Sequence, residues 1–115
     1  MKFINPESKI CCDEAIKCVF DLNQLDILVL KKLREKKQIR SDTLSKELKR
    51  ERSTIYRSLQ KLTNCGLCIK RTKTIKSGGY YHVYICNNNQ QVRKNMQSCI
   101  DQWYQQMKEI INEIQ

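Results

Sequence analysis

Residues 51–67, ERSTIYRSLQKLTNCGL, decide the fold because they place apolar and hydrogen-bonding side chains on opposite sides of one helix. Ile55, Leu59 and Leu62 recur at the spacing of a single helix face. A rotation of about 100° per residue turns the remaining polar side chains outward. These are Ser53, Arg57, Gln60, Lys61 and Asn64, with Thr54 and Tyr56 on the flanks. Gly66 follows as a helix end, since glycine adopts the left-handed conformation without steric cost.

Upstream, LNQLDILVLKKLREKK at 22–37 predicts another helix. Asn23 is placed to cap it, and Asp26 completes a weak capping box. Leu25, Leu28, Val29 and Leu33 form its apolar face, while Ile27 and Leu30 lie off that face. We therefore expect this helix to be buried on more than one side. An earlier helix is predicted after Asn5, its cap, and Pro6, its first helical residue.

A short helix is predicted in SDTLSKELKR, residues 41–50. Ser41 is the expected cap, and Leu44 and Leu48 are expected to point inward. Residues 49–51 alone separate this helix from the next one, which indicates a tight turn.

After Gly66 the pattern changes to residues typical of β-strands, in two stretches at 67–75 and 80–86. The KSGG sequence between them predicts a hairpin turn. A helix, a short helix, a tight turn, a helix and a hairpin follow one another in a winged helix-turn-helix. We therefore predict a mainly α fold with a small β-hairpin wing.

The C-terminal segment, residues 88–115, predicts one long helix with an apolar heptad seam. The seam residues are Met96, Ile100, Trp103, Met107, Ile110 and Ile114. At 1.5 Å per residue the helix is about 40 Å long, which is too long for so small a domain to cover. We predict a DNA-binding domain at 1–87 and a coiled-coil-like dimerisation helix at 88–115. Packing of the seam against the first helices of the same chain is the alternative.

The charge of the chain is concentrated in one segment. Residues 36–76 contain 13 Lys and Arg against 3 acidic residues, so the whole net charge of +10 lies there. Such a block is typical of a surface that binds a polyanion, and it lacks the apolar face of a membrane-surface helix. The partner that this pattern favours is nucleic acid, with no membrane contact.

The predicted recognition helix, residues 52–64, would enter the major groove of double-stranded DNA, and the wing, residues 67–86, would contact its flank. Arg57 has the chemistry for a bidentate contact with guanine, and Gln60 for one with adenine. Ser53, Thr54 and Tyr56 suit phosphate oxygens near the start of the helix.

The seven cysteines, at positions 11, 12, 18, 65, 68, 86 and 99, require a separate interpretation. Cys65 and Cys68 have metal-ligand spacing, but a structural zinc site usually takes four ligands, and His82 is the only histidine. A buried cysteine also behaves as a small hydrophobe. We predict structural thiols and no metal site. A disulfide or redox role and metal sensing remain alternatives.

The segments LNQLDILVLKKL, SDTLSKELKRERSTIYRSLQKLTNCGLCIKR and GGYYHVYIC resemble the winged-helix domain of TrmB-like archaeal regulators, and more distantly MarR-type and ArsR-type repressors. The resemblance covers about residues 20–86 and implies a dimer that binds double-stranded DNA. It places Arg52, Ser53, Thr54, Tyr56 and Arg57 on the exposed recognition helix, and Lys73 and Lys76 in the wing. Sugar-sensing relatives carry a large effector domain that is not predicted here, so sugar sensing is not implied.

The combined prediction is a homodimeric, cytoplasmic, sequence-specific transcriptional regulator of archaeal type without a cofactor, whose effector the sequence does not identify. An architectural protein that coats DNA and a thiol-based metal- or redox-responsive repressor are the alternatives. One histidine and no phosphate-binding loop indicate that the chain is not an enzyme. The predicted DNA-contacting residues are Arg50, Arg52, Ser53, Thr54, Tyr56, Arg57, Gln60, Lys61, Lys73 and Lys76.

Overall fold

The computed structural model describes residues 12–114, which are mainly helical with one two-stranded sheet. The elements are α1 Cys12–Val19, α2 Gln24–Glu35, α3 Ser41–Leu48, α4 Arg52–Asn64, β1 Cys68–Thr74, β2 Tyr80–Cys86 and α5 Asn89–Glu113. The predicted mainly α fold with a hairpin wing and a long C-terminal helix is confirmed. One compact unit contains α1 and α5, and a second spans residues 23–88. The predicted division into domains at 1–87 and 88–115 stays a prediction.

Helix α2 begins at the predicted capping box. The side chain of Asn23 accepts a hydrogen bond from the Asp26 backbone N–H at 2.9 Å, and the Asn23 N–H donates to the Asp26 carboxylate at 2.9 Å. Each residue thus satisfies a backbone donor that the first turn of a helix leaves free.

The buried side of α2 differs in part from the predicted stripe. Val29 and Leu33 are buried as expected, but Leu25 and Leu28 are only half-buried. Ile27 and Leu30, which lie off the stripe, are fully buried. The expectation of burial on more than one side is confirmed, and the inward face is rotated away from the Leu25 edge.

Helix α3 corrects one predicted cap. Arg40 is the N-cap and makes no side-chain capping bond, whereas Ser41 is already helical. The reason is that the carbonyl of Arg40 accepts the first helical hydrogen bond, from the Leu44 N–H. Leu44 is buried as predicted, and Leu48 is half-buried.

The turn between α3 and α4 is as tight as predicted. Lys49 adopts the left-handed conformation with φ 53° and ψ 49°. The N–H groups of Lys49 and Arg50 both donate to the carbonyl of Ser45, and this arrangement ends α3. The chain is therefore redirected into α4 within three residues.

Helix α4 carries the apolar face that the sequence predicted, with Ile55, Leu59 and Leu62 all at 0% exposure. Helix α4 contacts α2, α3 and β1, which cover this face. Its carboxyl end has the two hydrogen bonds of a Schellman motif, from Gly66 N–H to the Thr63 carbonyl and from Leu67 N–H to the Leu62 carbonyl. Gly66 has φ 76°, which confirms the predicted glycine end.

Strands β1 and β2 form the predicted antiparallel hairpin, with Cys68 opposite Cys86 and Thr74 opposite Tyr80. Residues 75–79 close it, and Gly78 and Gly79 have φ of 104° and 87°. Only glycine adopts such angles without strain, so the GG pair fixes the turn.

A third backbone segment joins the hairpin, which the sequence did not predict. Ile39 and Tyr84 exchange two backbone hydrogen bonds, of 2.8 Å and 3.1 Å. A single bridging residue has no alternating pattern of its own, so sequence periodicity could not reveal it.

The unit that contains α1 and α5 differs from the other unit in that its long helix has no buried residue. The Cys99 thiol of α5 donates a hydrogen bond to the Val19 carbonyl at 3.5 Å. Helix α5 has 25 residues, and none of them is buried. No helix within residues 12–114 is long and apolar enough to cross a membrane. The predicted cap at Asn5 and Pro6 lies outside the described residues.

Candidate nucleic-acid interface

The outward face of α4 matches the predicted rotation for most of its residues. Ser53, Arg57, Gln60 and Asn64 are exposed, Tyr56 is 47% exposed, and Thr54 is half-buried. Because the opposite face is locked in the core, these side chains have a fixed backbone from which to reach a ligand. Hydrogen-bonding groups on one rigid helix face are what base-edge recognition requires.

Lys61 differs from the expectation for this face. It is half-buried, and its Nζ lies 2.8 Å from Oδ2 of Asp26, a residue that is only 2% exposed. Its ammonium group therefore neutralises a buried carboxylate of α2. The predicted contact of Lys61 with DNA stays a prediction, and Asp26 competes with it.

Asp26 joins α2 to α4 through two side chains. Besides the Lys61 ammonium, the Ser58 hydroxyl donates to Oδ1 of Asp26 at 2.6 Å. Burial opposes ionisation of this carboxyl group, but the hydrogen bonds from Lys61, Ser58 and the Asn23 backbone outweigh it and lower the pKa of Asp26. The carboxylate is therefore charged at neutral pH and helps to fix the orientation of the helix.

The sequence showed Asp26 only as a capping residue and did not single out Ser58. A signal was present, because Ser58 lies between the core residues Ile55 and Leu59 on the inward side of α4. A polar residue at such a position needs a buried partner. Nothing in the spacing along the chain identified that partner as Asp26.

Two further predicted cations lie at the start of α4. Arg52 has a 75% exposed side chain, and its Nε lies 3.5 Å from Oδ1 of Asp42 in α3. An ion pair this exposed contributes little stability, so the guanidinium can exchange partners with a phosphate. Arg50 is exposed, and its carbonyl accepts a hydrogen bond from the Ser45 hydroxyl at 2.6 Å.

The wing carries its predicted cations on exposed backbone. Lys73 lies in β1, opposite Tyr81 of β2, and Lys76 lies in the loop that joins the strands. Both are exposed. The structure thus places all ten predicted DNA-contacting residues in the unit of residues 23–88.

An aromatic cleft beside α4 was not among the predicted features. It has a volume of about 230 Å³ and lies between the start of α3, Tyr56 and the wing. The wing supplies Lys70, Tyr80 and His82 to its lining, with the Tyr80 and His82 rings 5.6 Å apart. The YYHVY sequence of β2 was the available signal, since alternate residues of a strand share a face.

Arg40 also lines this cleft and adds to its basic surface. Its guanidinium carbon lies 4.7 Å from the centre of the Tyr81 ring, a cation–π arrangement that orients the side chain. Arg40 was counted in the basic segment but was not predicted as a contact residue.

The cysteines at positions 18, 65, 68, 86 and 99 are not joined by disulfide bonds. Cys68 is buried at the start of β1, and burial raises the pKa of its thiol to about 11. Within residues 12–114 no three His, Cys, Asp or Glu side chains are grouped to hold a metal ion.

Comparisons with known proteins agree with this fold. A family model described as "Sugar-specific transcriptional regulator TrmB" matches residues 16–88. Two uncharacterized proteins of Methanocaldococcus jannaschii are each 28% identical, over 103 residues (90% of this chain and 78% of that protein) and 105 residues (91% and 87%).

Two solved structures from archaea are also similar. The first is described as "Possible transcriptional regulator from Methanosarcina mazei Go1", with a TM-score of 0.74 and 25% identity over 98% of this chain and 96% of that one. The second, a protein of Sulfolobus tokodaii, has a TM-score of 0.63 and 24% identity, covers 81% of this chain and 91% of its own, and supports the fold alone.

Proposed function

The chain belongs to the TrmB family of transcriptional regulators, and we propose that it binds double-stranded DNA in a sequence-specific manner as a homodimer. The family is one of regulators, which are generally not enzymes. The sugar in the family's description is a property of the family and is not carried over to this chain. A role on genomic DNA puts the protein in the cytoplasm.

The observation that carries the proposal is the arrangement of α4. One face is held in the core by three fully buried side chains, while the other presents Ser53, Arg57 and Gln60 to solvent. The same unit contains the segment that holds the whole net charge of the chain. A rigid polar helix within a basic surface is the arrangement that major-groove recognition uses.

The proposed mechanism separates affinity from specificity. Lysines and arginines of residues 36–76 bind phosphates and release counterions, which supplies affinity without reading sequence. Arg57 and Gln60 read base edges in the major groove. Lys73 and Lys76 of the wing contact the backbone beside the recognised bases.

The homodimer is proposed from the surface of α5. Ile100 and Trp103 are each 37% exposed, and Ile110 and Ile114 are still more exposed. A row of large apolar side chains at heptad spacing is stabilised when a second copy of the helix covers it. Two recognition helices about 34 Å apart would then contact successive major grooves, which predicts a near-palindromic site.

Selection of bound sequences from a random double-stranded DNA pool tests the proposal. We expect enrichment of a short near-palindrome, with half-sites separated by about one helical turn. Binding without enrichment, together with continuous protection of a long duplex, would instead support the architectural alternative. No binding at low salt would reject both roles, since both depend on phosphate contacts.

A further inference from the structure

Cys68 and Cys86 lie opposite each other at the open end of the wing, as the first residue of β1 and the last of β2. In an antiparallel ladder, pairs that exchange backbone hydrogen bonds alternate with pairs that do not. Backbone hydrogen bonds join Ile75 to Gly79 and Asn87 to Leu67. Hydrogen-bonded pairs therefore recur at every second residue between Ile75–Gly79 and Leu67–Asn87. The Cys68–Cys86 pair lies one residue from the Leu67–Asn87 pair, so it falls between two hydrogen-bonded pairs. Cys68 and Cys86 therefore form a non-hydrogen-bonded pair.

This register brings the two cysteines within bonding range. The Cα atoms of a non-hydrogen-bonded pair are about 4.5 Å apart. Disulfides span Cα separations of about 4.4–6.8 Å. Cys65, which completes the CxxC spacing in the sequence, instead lies at the end of α4 and has no place in the ladder. The partner that the fold offers to Cys68 is thus Cys86.

The two thiols have unequal surroundings. The Cys68 sulfur lies 3.2 Å from the Thr63 hydroxyl and donates a hydrogen bond to the Leu59 carbonyl at 3.8 Å. Burial, and to a smaller extent the neighbouring Cys86 and Cys65 thiols, raise the pKa of Cys68 to about 11, against the effect of the Thr63 hydrogen bond. Cys86 is half-buried. An oxidant therefore reaches Cys86 first.

We propose that Cys68 and Cys86 are a redox-active dithiol site that closes the base of the wing when it reacts with a low-molecular-weight disulfide. The Cys86 thiolate attacks one sulfur of the oxidant, breaks its S–S bond and releases one thiolate. The Cys68 thiol then loses its proton as it attacks the Cys86 sulfur of the mixed disulfide and expels the second thiolate. Both cysteine protons end on the two released thiols. The oxidant is reduced, and the cysteine pair is oxidised.

The bridge has a mechanical consequence for the wing. The reduced hairpin is closed covalently only by residues 75–79, whereas the bridge makes residues 68–86 a closed ring. A bridged Cys68 sulfur has no proton, so it also loses its hydrogen bond to the carbonyl of Leu59 in the carboxyl half of α4. The stiffness of the wing thus depends on thiol redox state. Its relevance to DNA rests on the proposed function, but formation of the bridge does not.

Peptide mapping of the full chain tests the proposal. The reduced protein is incubated with oxidised glutathione, the remaining thiols are blocked with N-ethylmaleimide, and the digest is analysed by mass spectrometry. We expect a linked peptide pair that contains Cys68 and Cys86. A Cys65–Cys68 link in its place, or a stable glutathione adduct on Cys86 without the linked pair, overturns the proposal.

Two variants separate the proposed pair from the CxxC spacing. Cys65→Ser should retain the link, and Cys86→Ser should lose it, with Cys86→Ala as a second variant if the serine form does not fold. Amide hydrogen exchange at Arg71 and Val83 should slow about threefold or more on oxidation, because the bridge restrains opening of the ladder between them. Unchanged exchange in the bridged protein overturns the mechanical consequence.

Discussion

Helix α4 buries the whole of its apolar face within the chain, whereas α5 leaves its apolar seam at the surface. The inward apolar residues of α4 are at 0% exposure, while Trp103 of α5 is 37% exposed and Ile110 is 48% exposed. Both helices are amphipathic, so the difference does not come from their composition. It comes from whether other elements cover the apolar face, as α2, α3 and β1 do for α4.

This difference indicates which exposed surface of each helix is available for binding. Apart from Lys61, which pairs with Asp26, the solvent-facing residues of α4 contribute little to holding the helix in place, so they are available for binding. The apolar side of α5 is exposed to solvent, and a second copy of the chain would bury it. In the proposed function the first helix reads DNA, and the second sets the spacing between two readers.

The largest effect is expected from Leu59→Ala. Removal of a fully buried leucine should lower the free energy of unfolding by about 2–5 kcal/mol. The matched change in α5, Ile110→Ala, should cost less than about 1 kcal/mol in monomeric protein, because Ile110 is 48% exposed. Urea unfolding at low protein concentration measures both changes, and equal losses would show that α5 is as well covered as α4.

Trp103→Ala should destabilise the dimer rather than the folded monomer, in contrast to Leu59→Ala. Loss of a large apolar side chain from the centre of the seam should weaken the dimer by about 2 kcal/mol. Sedimentation equilibrium measures the dissociation constant. Gln105→Ala, an exposed position on the same helix but off the seam, is the control. A dimer that both variants leave unchanged would place the interface elsewhere.

Sequence periodicity predicted the local features of this comparison well. The spacing of Ile55, Leu59 and Leu62 oriented α4, and Gly66 marked its end, because both depend on neighbours within one or two turns. The pairing of Lys61 with Asp26 was not predictable. It joins residues 35 positions apart, and only packing decides which side of each helix meets the other.

The same limit explains the smaller errors. Ser41 was expected as a cap from residue type alone, but the carbonyl of Arg40 accepts the first bond of α3 instead. Leu25 and Leu28 satisfied the helical period, yet the neighbours of α2 cover the Ile27 and Leu30 side. Periodicity identifies a face, and the rest of the fold decides how far that face is rotated.

Asp26→Asn tests whether polar groups also fix α4. The change should lower the free energy of unfolding by about 1–3 kcal/mol at neutral pH, because Lys61 loses its charged partner. Burial raises the pKa of Asp26, but the hydrogen bonds from Lys61, Ser58 and Asn23 lower it by more. The net result is a pKa below the usual value of 3.8. The carboxylate's contribution is therefore fully present above that value, and it is lost as the pH falls through the folded-state pKa.

Unfolding curves of both proteins at neutral pH and in acid measure this contribution. The stability difference between wild type and Asp26→Asn should shrink below about pH 4 as the wild-type carboxylate is protonated. Asp101→Asn, an exposed acid of α5, is the control and should change stability little at either pH. A difference that stays constant with pH would show that the charge of Asp26 does not stabilise the fold.

Arg57→Ala tests the free face of α4. It should weaken binding to the selected site by about 1–3 kcal/mol if Arg57 reads a base. Folding should be almost unaffected, since the side chain is exposed. Fluorescence anisotropy on the selected and a scrambled duplex gives both affinities. Arg93→Ala in α5 removes the same charge outside the basic segment and serves as the control. An equal loss on both duplexes would make Arg57 a phosphate contact only.

The smallest effect is expected at the turn that leads into α4. Lys49 has φ 53°, a conformation that costs an L-residue energy and that glycine adopts freely. Lys49→Gly should therefore raise the free energy of unfolding by about 0.5–1 kcal/mol relative to Lys49→Ala, since both variants remove the same charge. Thermal unfolding of the pair measures the difference. If alanine proves as stable as glycine, the left-handed turn relaxes at little cost, and the position of α4 depends on its buried face rather than on the turn.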